Sequence, residues 1–171
     1  MKTKKQEELI NSFLSPLDDT MKSLYQDIAA CLDELGYNPK NERSNISFKH
    51  DLHNKQIAKM GMKKGKSPYP FFALRFSACR GYSQRFSDVV GEAIIKNPTR
   101  APRCTSDGCN FCAGDPDTHV YSHKFPDGEI KSHCGAYVLE IPEITVSDLD
   151  EIKTLIKEEH EYLLKHEVGR A

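Results

Sequence analysis

The spacing of the apolar residues changes near residue 45, and this change restricts the chain to folds that join helices to an antiparallel sheet. Up to residue 36 apolar side chains recur every three or four positions, which is the period of an amphipathic helix. After residue 45 they alternate along short segments bounded by turn residues, which is typical of half-buried strands. Because several of the strand segments form hairpins, the sequence predicts an α+β fold with a largely antiparallel sheet of about five strands.

The chain has 171 residues, which is enough for one ordinary domain with a core and short for two. We predict a single domain over residues 1–171, whose successive segments are N-terminal helices at about 4–36, a sheet and a helix at about 45–97, a cysteine-rich loop and hairpin at about 99–141, and a C-terminal helix at about 147–167. Helix N-caps are predicted at Ser15, at Ser83 or Ser87, and at Ser147. Gly36 is predicted to end the second helix in a left-handed conformation.

The strongest strand signal is the segment "SPYPFFALRFSAC" at residues 67–79. In an extended strand Phe72 and Phe76 point to one face, and Phe71 and Arg75 point to the other. Most of these rings are predicted to form core, and the remainder to line a pocket for a small molecule or a peptide between sheet and helix. Arg75 would make such a pocket selective for anions, although a solvated position on the sheet face is the preferred interpretation.

Four of the six cysteines lie close together in a segment rich in turn residues; they are Cys104, Cys109, Cys112 and Cys134. Four thiolates satisfy the tetrahedral coordination that zinc prefers. Residues 99–117 contain almost no apolar side chain besides Phe111, so little else would hold this segment in place. Zinc binding supplies about 10–16 kcal/mol in small zinc-dependent segments, and we therefore predict a structural zinc ion on the four cysteines.

The segment "CNFCAG" around Cys109 and Cys112 resembles the knuckle turns of zinc ribbons, and "CG" at Cys134 resembles half of a second knuckle. Glycines suit such turns because they adopt the positive φ angles that direct backbone N–H groups at sulfur. A ribbon normally has two Cys-x-x-Cys pairs, whereas Cys104 stands apart from its neighbours, so a histidine or a water molecule is an alternative fourth ligand. A redox pair of Cys109 and Cys112, or thiols without bound metal, would also account for this spacing.

The sequence "FPDG" at residues 125–128 predicts a β-hairpin with a three-residue loop. In that register one face carries His119, Tyr121, His123 and His133, and the opposite face carries Val120, Ile130, Cys134 and Val138. His119 and His123 are about 13 Å apart along a strand, so they cannot bind the same zinc ion. We therefore predict that the histidine face is a polar surface in contact with solvent.

Positive charge is concentrated in residues 37–103, which hold fourteen Lys and Arg against four Asp and Glu, while the whole chain carries a net charge of −1. Either acidic segments elsewhere in the chain pack against this region and neutralise it, or the region forms a face for phosphate groups. The candidate contacts for an anionic ligand or for nucleic acid are Lys63, Lys64, Lys66, Arg75 and Arg80.

The sequence lacks the motifs of zinc deaminases, helical zinc hydrolases, P-loop proteins, dinucleotide-binding folds and nucleophile elbows. No apolar run is long enough for a membrane span and no secretory signal is visible, so we expect a cytoplasmic protein without membrane contacts. We predict a zinc-stabilised binding module for a small molecule or a peptide rather than an enzyme. Two competing hypotheses are a nucleic-acid-binding protein that uses residues 49–103, and a thiol-redox or zinc-dependent enzyme.

Overall fold

The computed structural model describes residues 3–102 and 119–168, with side chains up to residue 165. The α-helices in these ranges are α1 (Lys4–Leu14), α2 (Asp19–Glu34), α3 (Gln84–Lys96) and α4 (Leu149–Val168). The strands are β1 (Tyr37–Glu42), β2 (Asn45–His50), β3 (Gln56–Lys63), β4 (Tyr69–Leu74), β5 (Val120–Lys124), β6 (Ile130–Cys134) and β7 (Leu139–Ile141). Single turns of 3-10 helix follow α3 at Pro98–Arg100 and precede α4 at Val146–Asp148.

The main sheet has the strand order β1-β2-β3-β4-β7, and every neighbouring pair is antiparallel. Strands β5 and β6 form a separate two-stranded hairpin, which lies between β4 and β7 in the sequence. The predicted α+β class and the largely antiparallel sheet of five strands are therefore confirmed. Within the described ranges, no helix is both long enough and apolar enough to cross a membrane.

The second helix begins later than the sequence predicts. Its N-cap is Asp18 rather than Ser15, because the Asp18 carboxylate accepts a hydrogen bond from the backbone N–H of Met21 at 2.9 Å. A carboxylate at this position satisfies a free N–H and also interacts favourably with the positive end of the helix dipole. The helix stops before Gly36, whose φ of +81° confirms the predicted left-handed residue.

Of the N-caps predicted for the last two helices, that of α3 is correct and that of α4 is wrong. Ser83, one of the two predicted alternatives, is the N-cap of α3. Before α4, the Asp148 carboxylate accepts a hydrogen bond from the backbone N–H of Thr145 at 2.8 Å. This pair caps a turn of 3-10 helix, so the cap lies two residues before the predicted Ser147.

Strand β1 is absent from the sequence prediction, because "YNPKNE" has few of the β-branched or apolar residues that mark strands. It forms because a tight turn, with Arg43 at a φ of +58°, folds it back along β2. Strand β1 is one edge of the main sheet, where Pro39 is tolerated since an edge strand does not need every N–H for pairing.

Alternation along the strands gives the main sheet an apolar face and a polar face. The buried side chains of the apolar face include Ile46, Phe48, Met60, Phe72, Leu74 and Ile141. They join buried side chains of α1, α2, α3 and α4 in one hydrophobic core. The polar face carries long charged side chains from β3 and β7, and α3 packs beside β7 at its edge.

The β5–β6 hairpin has the predicted register, since Tyr121 lies opposite His133. The prediction that its histidine face contacts solvent is wrong, because Tyr121 and His133 are each only 1% exposed. Helix α3 packs on both strands. A Cβ atom on Gly91 of α3 would lie 2.9 Å from Nε2 of His123, so the glycine permits this close approach.

Candidate functional site

A groove lies on the polar face of the main sheet, and we call it the sheet groove. Its floor comes from β3, β4 and β7 through Gln56, Lys59, Lys63, Phe71, Ala73 and Glu140. Its walls come from α3 through Val89, Glu92, Ala93 and Lys96, and from Arg100 together with residues 136–138. The volume is about 720 Å³, which is within the range of pockets that bind small molecules.

Small residues make the floor of the sheet groove concave. Ala73 stands between Lys59 on β3 and Glu140 on β7 in the strand register, so a short side chain is flanked by two long ones. At Gly61 a Cβ atom would lie 2.9 Å from the ring of Phe71. The glycine therefore lets this ring approach the backbone of β3 closely at the floor of the groove.

Two lysines of the groove pair with carboxylates that also line it. Lys63 Nζ lies 2.7 Å from Oε2 of Glu140, and Lys96 Nζ lies 2.7 Å from Oε2 of Glu92. The hydrogen bond that Lys96 donates to Glu92 raises the pKa of Lys96, so this lysine is charged at neutral pH. Both pairs are solvated, and such pairs can exchange partners at little cost.

The remaining two cations of the groove have no carboxylate partner inside it among the described residues. Lys59 Nζ lies 3.0 Å from Oε2 of Glu42, which is outside the groove, and its hydrogen bond lowers the pKa of Glu42. The Arg100 guanidinium lies 4.5 Å from the centroid of the Tyr137 ring, a stacked cation–π arrangement. The described lining therefore contains four cations and two carboxylates, and its net charge is positive.

Arg75, predicted as a ligand contact or a solvated residue, lies instead in what we call the buried polar network, together with Ser77, His119 and Glu159. Strand β4 ends at Leu74, so the alternation of the strand no longer places Arg75 on the polar face. Its Nε lies 2.7 Å from Oε1 of Glu159, and the two side chains are 4% and 0% exposed. Burial raises the pKa of the Glu159 carboxyl, and the Arg75 guanidinium opposes that rise.

His119 and Ser77 complete the hydrogen bonds of the network. Arg75 Nη2 lies 2.9 Å from Nε2 and 3.2 Å from Nδ1 of the His119 ring. The Ser77 hydroxyl lies 3.1 Å from His119 Nδ1 and donates to the backbone C=O of Gly135 at 3.0 Å. Every polar side chain of the network therefore has a partner inside it, as buried polar groups require.

Close contacts hold the β5–β6 hairpin together and join it to the end of β4. A Cβ atom on Gly135 would lie 2.1 Å from the backbone oxygen of His119 across the hairpin, so only glycine fits there. The predicted reason for this glycine, a positive φ angle, is wrong, because Gly135 is not among the described glycines with positive φ. The Tyr121 hydroxyl accepts from the N–H of Phe76 at 3.1 Å and donates to the C=O of Tyr137 at 2.9 Å.

Of the four predicted zinc ligands, only Cys134 lies within the described residues. It is half-buried at the end of β6 and is a free thiol. Cys104, Cys109 and Cys112, and with them the predicted knuckle turn, lie outside the described residues. In residues 3–102 and 119–168 no three His, Cys, Asp or Glu side chains are grouped so that they could hold a metal ion. The zinc site stays a prediction.

The structure separates the five basic residues that were predicted as contacts. Lys63 lines the sheet groove, whereas Lys64 and Lys66 are exposed in the loop between β3 and β4. Arg80 donates to two backbone carbonyls of the turn after β4, at 3.0 and 2.8 Å, so its guanidinium stabilises that turn. Arg75 belongs to the buried polar network, and only Lys63 reaches the groove.

The five predicted contacts leave out three cations of the groove, Lys59, Lys96 and Arg100. Lys59 and Lys63 are four residues apart on one strand, and this even spacing places both on one face, so Lys59 could have been recognised from sequence. Lys96 and Arg100 reach the groove because α3 packs beside β7, and no local pattern reports that long-range contact.

The side chains of the sheet groove offer charged, polar and apolar contacts. Ammonium and guanidinium groups suit an anion, the Gln56 amide offers hydrogen bonds, and Phe71 and Val89 offer apolar surface. No protein-family model, curated protein or solved structure matches this chain.

Proposed function

We propose that the protein is a binding module that holds a small organic molecule in the sheet groove. The observation that carries the proposal is a concavity of about 720 Å³ on the polar face of the main sheet. Helices, strands and a loop from distant parts of the chain converge there with both charged and apolar side chains. A sheet face that only contacts solvent does not need a helix and a loop as walls around it.

A small molecule is favoured over a peptide by the position of the groove. Extended peptides commonly bind by adding a strand to a free sheet edge, where the backbone supplies the affinity. The groove lies on the face of the sheet, and the edge strand β1 contains Pro39, which cannot donate a backbone hydrogen bond. The groove therefore offers side-chain contacts rather than a backbone ladder.

The proposal is tested by screening small molecules against the full chain with backbone amide NMR. A genuine ligand should shift amides of β4 and α3, the elements of the floor and the wall. Ala73→Leu, which fills the floor, should abolish binding, whereas Ser67→Leu, in the exposed loop between β3 and β4, should not. If no compound shifts these amides, or if Ala73→Leu binds normally, the groove is not a binding site.

We also propose that a structural zinc ion on Cys104, Cys109, Cys112 and Cys134 stabilises the module. The spacing of the cysteines and the free thiol of Cys134 support this proposal. Elemental analysis of protein purified without added metal should give about one zinc per chain. Cys134→Ser should lower the zinc content, while Cys31→Ser, which alters a buried core thiol on α2, should not. No zinc, with all four thiols titrating freely, would contradict the proposal.

Nucleic-acid binding is the second candidate function. It is supported by the exposed Lys64 and Lys66, which lie in the loop next to Lys63 of the groove. Binding of a short oligonucleotide should weaken steeply with salt, since it releases counterions. The double variant Lys64→Gln/Lys66→Gln should reduce that salt dependence without changing the binding of a groove ligand. No oligonucleotide binding at low salt would exclude this candidate.

A further inference from the structure

Two cation–aromatic pairs lie at opposite ends of the sheet groove. Lys63 pairs with the first residue of β4 and has its ammonium 5.1 Å from the centroid of the Phe71 ring. Arg100 stacks on Tyr137, which precedes β7, and the first residue of β7 pairs with the last residue of β4. Phe71 lies three residues before the end of β4, so the two pairs are separated by about 10 Å along the strand at 3.3 Å per residue.

Arg100 is oriented for binding an acidic group. Its guanidinium is held by the ring of Tyr137, and in the described part of the chain no carboxylate pairs with it. Stacking uses the flat face of the guanidinium and leaves the N–H groups at its edge available. A carboxylate or phosphate group can accept two of these N–H groups at once, which is the strongest arrangement for such a contact.

Small apolar side chains lie between the two ends of the groove. Ala73 forms the floor there, and Val89 and Ala93 of α3 stand at the wall. Of the two charged side chains that flank Ala73, Lys59 is turned toward Glu42 outside the groove and Glu140 pairs with Lys63. A ligand that spans the groove would therefore contact these apolar side chains between the two cations.

We infer that the ligand of the sheet groove is an elongated dianion, with an acidic group at each end and an apolar middle. One acidic group binds the guanidinium of Arg100, and the second binds Lys63, which releases Glu140 at little cost because that pair is solvated. In the described lining Arg100 has no carboxylate partner and the partner of Lys63 is solvated, so these two cations can take the two charges of the ligand. This inference rests on the proposed function, since it names the class of molecule that the same groove would bind.

The test uses linear dicarboxylates of increasing length, namely succinate, suberate and sebacate, titrated into the full chain and followed by backbone amide NMR. Octanoate has one acidic group on a chain as long as suberate, and suberamide has the same length without charge. We expect affinity to peak at an intermediate length. Suberate should bind roughly tenfold more tightly than octanoate, because it makes one more charge-assisted contact.

Variants show whether Arg100 makes the contact. Arg100→Gln should weaken suberate binding to the level of octanoate, while Lys66→Gln, which removes the same charge from an exposed loop, should leave it unchanged. Equal binding of suberate and octanoate, or normal suberate binding by Arg100→Gln, would overturn the inference.

The same titrations distinguish failure of this inference from failure of the proposed function. If suberamide or another neutral compound shifts the groove amides as strongly as suberate, and Ala73→Leu abolishes that shift, the groove binds small molecules but does not select a dianion. If compounds of every charge leave these amides unchanged, both the inference and the proposed function are wrong.

Discussion

The buried polar network and the sheet groove use the same kinds of side chain and differ in how much water reaches them. In the network Arg75 and Glu159 lie 2.7 Å apart, with side chains 4% and 0% exposed. In the groove Lys63 and Glu140 also lie 2.7 Å apart, but their side chains are 39% and 44% exposed. Distance alone therefore does not distinguish a structural ion pair from one that is available to a ligand.

The difference in solvation sets what each region can do. A solvated pair contributes only about 0.2–1 kcal/mol, so water or a ligand can replace one partner easily. A buried pair has lost its hydration, so removal of one partner leaves a charge that nothing else can satisfy. The network thus fixes the position of α4 against the end of β4, and the groove keeps its cations available.

The largest effect is expected from breaking the buried pair. Glu159→Gln should lower the free energy of unfolding by about 3–5 kcal/mol, because it leaves the Arg75 guanidinium buried without a counter-charge. Urea denaturation followed by circular dichroism measures this change.

The double variant Arg75→Met/Glu159→Leu serves as the control, since it removes both charges and keeps apolar volume. It should be less destabilised than Glu159→Gln. If Glu159→Gln costs less than about 1 kcal/mol, as a solvated pair would, the distinction between the two regions is lost.

The second largest loss of stability is expected at Gly135, which lies beside the buried polar network. Gly135→Ala should lower the free energy of unfolding by about 1–3 kcal/mol, since the new methyl group would overlap the backbone oxygen of His119. Gly65→Ala, in the loop between β3 and β4, is a matched control because no atom lies within 4 Å of the added Cβ. Equal stability of the two variants in urea would show that the backbone after β6 can move away from His119 without cost.

Local sequence patterns were sufficient to predict features that depend only on neighbouring residues, such as a hairpin register and the end of a helix. The turn "FPDG" predicted the register of the β5–β6 hairpin, and Gly36 predicted the end of α2, because each depends on a few neighbouring residues. Burial of Arg75 depends on Glu159 in the last helix, and burial of His133 depends on packing by α3. No spacing within β4 or β6 contains that information, so both side chains were wrongly expected on polar surfaces.

The sequence predicted the part of the candidate site that lies on β3 and β4, and it did not predict the part that depends on long-range packing. The sequence marked Phe71 and Lys63, which do line the groove, since a strand period places them on its floor. It could not assign Arg100 to the groove, because that contact depends on where α3 ends relative to β7. The cysteine spacing predicts zinc from ligand chemistry alone, and three of the four cysteines lie outside the described residues.

His160 is intermediate in burial between the buried polar network and the sheet groove. It follows Glu159 on α4 and is half-buried. Burial, together with the nearby His50, lowers the pKa of His160 below 6.5. The unfolded chain therefore binds the proton first as the pH falls, so the stability contributed by this residue is complete above pH 6.5 and is lost below it. Urea denaturation between about pH 8 and pH 5 should show a flatter dependence for His160→Asn than for the unmodified chain. Parallel curves for the two proteins would contradict this expectation.

The smallest effect on stability is expected in the groove. Lys63→Gln should change the free energy of unfolding by less than about 1 kcal/mol at low salt, and this difference should vanish at high salt because the Lys63–Glu140 pair is solvated. The effect of Glu159→Gln, in contrast, should persist at high salt because ions do not reach a buried charge. The same Lys63→Gln variant should bind suberate more weakly, so its loss would be one of binding and not of folding. If Lys63→Gln instead destabilised the protein as much as Glu159→Gln, the groove pairs would be structural, and the cations would not be free to exchange Glu140 for a ligand.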